Sequence, residues 1–469
     1  MNTFDYQFFF NDISDGYAEV LLTKHFHKPD SFEISIEDAP IRLLNDSQLS
    51  SLQADLLDLA TAIHFADKIS VPKKSRSIEV QISLSLRHPE IFEQIHSLIQ
   101  DLLFWYTKDN WHFQFRVRKS KRRQSECQIG QLNLPLLQGS TEFALWSGGL
   151  DSLAGLHTRL FEDKSKSFAL IGTGSNSIMR KTQQQVFQAL RYLPDASGRL
   201  RFLHIPINAN YGGRYFQNQS HRARGIVFLL IGAVCALSVG CKQLNVYETG
   251  IGAINLPLPG GVGRDHSKAV HPVSLIKMER FISHLIGEPF LIDNPFIFST
   301  KAMMCNSIAC YPSLTFETIS CDRLHREKYI QCGYCSSCIL RRQALMAANI
   351  KDQTKYLIPH GKNPSERHLI YWKLMNQQVN TIEDALDSSE PFFNLSMSYP
   401  NDLSDLAYYL ADRVNQSRYA IEEKIVKLYR TYVREWRGFA EYILDDMTHT
   451  KNSEHYLEVG KWQQMQLIN

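Results

Sequence analysis

The chain has 469 residues, of which 44% are hydrophobic and 21% charged, and its formal net charge is +3. That balance belongs to a globular chain of two or three domains and excludes the basic excess of a dedicated nucleic-acid binder. The longest uncharged apolar stretch, Ile226 to Gly240, is too short to span a bilayer; it reads as a core helix, and no membrane partner is expected.

The opening residues Met1-Asn2-Thr3-Phe4-Asp5 are neither basic nor apolar. No secretory signal is therefore expected, which points to a reducing, cytoplasmic setting. Residues 1–138 read as an N-terminal α+β domain. Leu49, Leu52, Leu56, Ala60 and Ile63 recur at helical spacing, as do Ile91, Ile95, Ile99 and Leu102. Ile78, Val80, Ile82, Leu84 and Leu86 alternate as in a half-buried strand, and so do Phe113, Phe115 and Val117. Six of the eight residues from Arg116 to Arg123 are basic, with no aromatic residue between them for base stacking. The run reads as a solvated linker rather than an RNA surface, and nucleic acid is not an expected partner.

From residue 139 to 360 strands and helices alternate. Strands are expected at Phe143–Trp146, Phe168–Gly172, Arg201–Asn208 and Asn245–Glu248, with helices at Leu153–Phe161 and Thr182–Tyr192 and the apolar helix before the last strand. This order predicts an α/β fold, a doubly wound parallel sheet of Rossmann-like type, with its ligand at the carboxyl ends of the strands. Residues 361–469 read as a helical region, in which Ile421, Ile425, Leu428, Tyr432, Trp436, Phe439 and Ile443 step by three and four.

Two motifs carry chemistry. Ser147-Gly148-Gly149-Leu150-Asp151-Ser152 lies between the first strand of the alternating region and its helix. Strand, glycine-rich turn and helix aim unpaired N–H groups and the positive end of a helix dipole at one point, which suits phosphate. The two glycines allow close approach, and the Ser147 and Ser152 hydroxyls can donate. Asp151 tolerates a phosphate only with a cation between them, so magnesium is implied. The second motif is Cys321, then Cys332, Cys335 and Cys338, in a C-x10-C-x2-C-x2-C spacing. Four thiolates so spaced suit a closed tetrahedral zinc site, structural because it leaves no position for water, with an iron–sulfur cluster as the lesser alternative.

Together, in this order, the motifs resemble the PP-loop ATP pyrophosphatase superfamily, and within it the QueC-like (7-cyano-7-deazaguanine synthase-like) proteins. The resemblance spans roughly Ser140 to Ala348 and includes Thr300-Lys301, Ser320-Cys321 and the run from Cys332 to Arg341. Departures are also visible: Gly172-Thr173-Gly174-Ser175-Asn176, Ser220 to Gly225, and Met303 replace elements usual in QueC. Arg222 to Gly225, Glu248-Thr249-Gly250, Asn255-Leu256-Pro257, His271-Pro272 and Asn294-Pro295 are similar instead to QueC-like proteins of antiphage defence islands, such as those of Qat systems and CBASS operons.

The resemblance implies ATP as a substrate, magnesium, structural zinc, and a 7-deazaguanine carboxylate that is adenylated and passed to an amine. Residues 139–360 become the PP-loop domain. Ser147 to Ser152 would hold the phosphates, with Asp151, Ser152 and Arg224 taking part in the chemistry and Arg222 and Lys301 adding positive charge. Arg222 and Arg224 could equally form capping or surface salt bridges, and Lys301 could pair on the surface. Glu248 and Asn255 could read the base or the incoming amine, Gly250 to Gly263 suits a lid, and His271 reads as structural. The additional N- and C-terminal regions favour an amine on a partner protein from the same operon, although they could serve homo-oligomerisation. Ammonia as the amine, giving 7-cyano-7-deazaguanine, is the alternative; a tRNA-modifying PP-loop enzyme or an inactive scaffold is a second.

Overall fold

The computed structural model describes all residues except 1–3, 15–16, 25–29, 45–47, 74–75, 120–122, 127–139, 175–176, 195, 211–221, 261–266, 324–329, 359–365 and 450–469. The first region contains β1 (Tyr6–Ser14), β2 (Tyr17–Lys24), β3 (Asp30–Ile36), α1 (Ser51–Ile69), β4 (Glu79–Leu86), α2 (Pro89–Thr107) and β5 (Asn110–Val117). Local signals set the helix ends. Ser50 and Gln53 form a reciprocal capping box at the start of α1, and Pro89 opens α2 where its missing N–H costs nothing.

The alternating region follows with β6 (Thr141–Leu145), α3 (Leu150–Glu162), β7 (Ser167–Thr173), α4 (Ser177–Arg191), β8 (Leu200–Ile205) and β9 (Ile207–Asn210). It continues through α5 (Arg224–Leu237), β10 (Gln243–Asn245), α6 (Gly250–Ile254), α7 (Pro272–Ile286), β11 (Leu291–Asp293), α8 (Lys301–Cys305), α9 (Ser313–Phe316) and α10 (Ser336–Ala347). The chain then becomes helical, as its periodicity predicts: α11 (Glu366–Leu386), α12 (Pro391–Ser398), α13 (Pro400–Leu403), α14 (Leu406–Val414) and α15 (Arg418–His449).

Strands β11-β10-β6-β7-β8 form a sheet, in that order and parallel throughout. The other sheet runs β5-β4-β1-β2-β3-β9, parallel among β5, β4 and β1 and antiparallel from β1 onward. The single strand expected over 201–208 is therefore two. Proline has no N–H for a ladder, so the chain breaks at Pro206. β8 stays in the parallel sheet, while β9 crosses to the edge of the first sheet and pairs with β3. The boundary expected at residue 138 falls among 127–139, outside the described residues. On either side of it the apolar core is continuous: α1 packs on α5 and α2 on α7, with Leu57, Ile63, Leu103, Ile226, Leu230 and Phe281 in one cluster.

The basic run is no solvated connection at its described ends. Arg123 is buried (1% exposed) and donates to Asp58, and Arg118 reaches the same carboxylate at 2.7 Å. Arg87 also donates to Asp58, and to Asp55 at 3.0 Å. Buried Asp55 and largely covered Asp58 of α1 need these cations, because an unpaired carboxylate shielded from water is costly.

Candidate active site

In the parallel sheet, β6 lies between β7 on one side and β10 on the other, so the strand order reverses there. A crevice opens at the carboxyl ends of strands at such a switch point. The Ser147–Ser152 turn leaves the end of β6 and Glu248 follows β10, so both reach this crevice.

Gly149 caps α3 without a side-chain bond, which leaves first-turn N–H groups directed outward. Gly148 adopts φ +71°, and a Cβ there would lie 2.9 Å from Gln183 Cα. Gln183 fixes the strand end as well: its Nε2 donates to the Trp146 carbonyl, and its own carbonyl accepts from Trp146 Nε1, both at 3.0 Å. Ser147 and Ser152 share a hydroxyl contact of 3.0 Å, and Ser147 Oγ accepts from Gly149 N at 3.1 Å. The turn is thus braced by its own serines.

Behind it lies a compact charge cluster. Lys301 Nζ donates to Asp151 Oδ2, with side chains only 14% and 16% exposed. Lys301 begins α8, whose cap is Thr300: its Oγ1 accepts from Met303 N at 3.2 Å. Glu248 stands beside this pair, its carbonyl accepting from Asn294 Nδ2 at 2.9 Å and its Oε1 accepting from Thr249 N at 3.1 Å. Burial first, and then the charge of Asp151, push the Glu248 carboxyl well above its ordinary range against the pull of Lys301. Burial alone would lower Lys301, but Asp151 and Glu248 outweigh it and hold the ammonium above its usual value. Asp151 Oδ1 is buried and has no hydrogen-bond partner among the described residues. Two adjacent carboxylates with an open buried oxygen form a hard oxygen donor set that fits magnesium, and Asp151 and Glu248 are the residues that would hold it.

The four-cysteine motif closes as its spacing predicts. One sulfur each from Cys321, Cys332, Cys335 and Cys338 lie within 4.8 Å of one another, a cluster able to hold a metal such as zinc. Backbone N–H groups of Arg323 and Cys332 approach Cys321 Sγ at 3.3 and 3.2 Å, as expected around thiolates. Gly333 at φ +85° permits the tight knuckle; a Cβ would meet the Ile358 carbonyl oxygen at 2.3 Å. Fully buried Arg341 ties the preceding segment down through Thr318 Oγ1 and the Thr315 carbonyl, both at 2.6 Å. That segment reaches the turn, because a Cβ on Gly149 would lie 3.5 Å from the Ile319 carbonyl oxygen. The segment leading into the cysteine cluster therefore packs against the turn.

A stretch of 39 residues is 51% identical to the 7-cyano-7-deazaguanine synthase of Methanococcus maripaludis. The chain is QueC-like over that stretch. It covers 8% of this chain and only 17% of that protein. No family model matches the chain.

Other expected site residues are placed differently. Arg222 donates to the Thr107 carbonyl and the Asp109 carboxylate, which makes it the cation at the end of α2, the capping role foreseen as its alternative. Arg224 lies over the Phe228 ring at 5.6 Å, and Asp322 and Asp67 are the carboxylates acting on it. Asn255 closes α6 at φ 47° and donates to the Ser267 carbonyl at 2.9 Å, which ties down the start of the expected lid. Residues 261–263 of that lid lie outside the described residues. His271 caps α7, its Nδ1 accepting from Val273 N at 3.2 Å, in keeping with a structural role. Lys301 pairs internally with Asp151 and not on the surface. Gln183 escapes the sequence reading, since it meets the turn only through folding and lies in no local motif.

Proposed function

We propose that this chain is a QueC-like, ATP-dependent amide-forming enzyme that adenylates the carboxylate of a 7-deazaguanine and transfers the acyl group to an amine of a partner protein. The observation that carries the proposal is the meeting of the Ser147–Ser152 turn with Asp151, Glu248 and Lys301 at the switch point of a parallel sheet. The short similarity to part of a 7-cyano-7-deazaguanine synthase supports the substrate class.

In this mechanism the turn is a PP-loop. The N–H groups at the start of α3, with the Ser147 and Ser152 hydroxyls, bind the β- and γ-phosphates and stabilise the charge that grows on departing pyrophosphate. The substrate carboxylate oxygen bonds to the α-phosphorus as the α–β bridging P–O bond breaks, giving an acyl-adenylate. The amine nitrogen then bonds to the acyl carbon, AMP leaves with the C–O bond pair, and the amine proton passes to solvent. Magnesium, when bound, would offset phosphate charge beside Asp151 and Glu248. Lys301 keeps Asp151 oriented and adds positive charge. The zinc site is structural and braces the loop.

The similarity to a 7-cyano-7-deazaguanine synthase favours one second reading, with ammonia as the amine and 7-cyano-7-deazaguanine as the product. Intact-mass spectrometry separates the two. The chain is incubated with ATP, magnesium and 7-carboxy-7-deazaguanine, and with either ammonia or the protein encoded beside it. A mass increment on that protein equal to an amide-linked deazaguanine is the expected result. Free nitrile without tagged protein selects the second reading, and AMP release with neither product rejects the substrate.

A further inference from the structure

The long helix α15 reaches the candidate site twice from one face. Glu435 Oε1 accepts from Thr300 Oγ1 at 2.6 Å, and its Oε2 accepts from Gln343 Nε2 at 3.2 Å. Two turns earlier on the same face, Leu428 packs on the turn that carries Glu248: a Cβ on Gly250 would sit 2.6 Å from Leu428 Cδ2 and 2.1 Å from the Ile297 carbonyl oxygen. Gln378 of α11 adds a third hold, donating from Nε2 to the Leu256 and Pro257 carbonyls at 2.8 and 3.0 Å. Ala253, Ile254, Leu256 and Ile297 accordingly share a core with the C-terminal helices.

The hydrogen-bond directions at Thr300 matter. Its hydroxyl hydrogen goes to Glu435, so an oxygen lone pair remains for the Met303 N–H that opens α8. The next residue is Lys301, whose ammonium meets Asp151. A carboxylate suits position 435 because each oxygen faces a donor; an amide would turn its NH2 toward one of them.

We propose that Glu435 is a positioning residue for Lys301: it orients the Thr300 hydroxyl that caps α8, so the Lys301 ammonium stays on the Asp151 carboxylate. The C-terminal helical region is then part of the site rather than an appendage to it. The consequence for ATP rests on the ATP-dependent function proposed above; the effect on Lys301 does not.

The test uses the full chain and two readouts. One is the labelling rate of Lys301 by a water-soluble succinimidyl ester, followed by peptide mass spectrometry. The other is ATP affinity by calorimetry with magnesium present. Glu435→Gln is expected to raise Lys301 labelling severalfold and to weaken ATP binding about tenfold, the scale of a lost charge-assisted hydrogen bond. Glu383→Gln is the control, since it breaks the Arg437–Glu383 pair that holds α15 on α11 away from the site; it should change neither readout. Should Glu435→Gln fail to fold, Glu435→Met removes the same bond and leaves the Thr300 hydroxyl able to accept from Met303 N, so it decides on the same readouts. Lys301 labelling unchanged from wild type in the folded variant overturns the proposal, as does an equal rise in the Glu383→Gln control. Raised labelling in a chain that binds no ATP even as wild type upholds the positioning role and defeats the ATP function instead.

Discussion

Asp67 shows how a single buried carboxyl reports on the junction between the two sheets. It lies at the end of α1 and accepts from Ala223 N at 3.0 Å, just ahead of α5. Burial pushes its carboxyl from the ordinary 3.8 up to about 6, against the pull of that bond and of Arg222. A carboxyl raised in the fold stabilises most below its unfolded value, and that contribution is lost as pH rises through about 6. Wild type should therefore lose about 1 kcal/mol relative to Asp67→Asn between about pH 5 and about pH 7.5. Urea unfolding of both proteins at the two pH values checks this, and a constant difference would refute it. Neither Asp67 nor Glu248 announces such an environment in the sequence, because burial is a property of the surroundings and not of the residue.

At the scale of elements, the segment leading to Cys321 meets the Ser147–Ser152 turn through the backbone near Ile319. Loss of a structural metal should loosen both. Cys332→Ser is expected to lose zinc measured by atomic absorption and to melt about 5–10 °C lower. Equal melting temperatures in a wild type that carries zinc would remove the structural role. The convergence of the four cysteines is legible in the sequence because metal-ligand spacing is local: C-x2-C-x2-C fits one knuckle and the turn into α10. The strand boundaries were less legible. β11 spans only three residues, too few to show a period, and Pro206 divides the stretch expected as one strand over 201–208 between the two sheets.

The whole molecule behaves as interlocked parts. α1 and α2 bury their apolar faces on α5 and α7, and β9 completes the first sheet from within the alternating region. A fragment of residues 1–126 would expose those faces and lose that edge, so it should remain unfolded by near-ultraviolet circular dichroism. A cooperative melt of the isolated fragment would show instead that the shared core is dispensable. The C-terminal helices are likewise tied to the site through Leu428, Glu435 and Gln378. Extra regions that the sequence marks only as added surface thus become structural neighbours of the candidate site.

The sequence by itself determined the parallel α/β order, the turn at Ser147–Ser152, the closed set of four cysteines and the helical C-terminal region, all of which depend on short-range spacing and periodicity. Tertiary structure decided the partners. It joined Asp151 to Lys301 across 150 residues, set Glu248 beside them, turned Arg222 to the end of α2, and buried Arg123 on Asp58. Charge pairing over such separations follows from which elements pack together, and a local pattern of residue types holds no record of that packing.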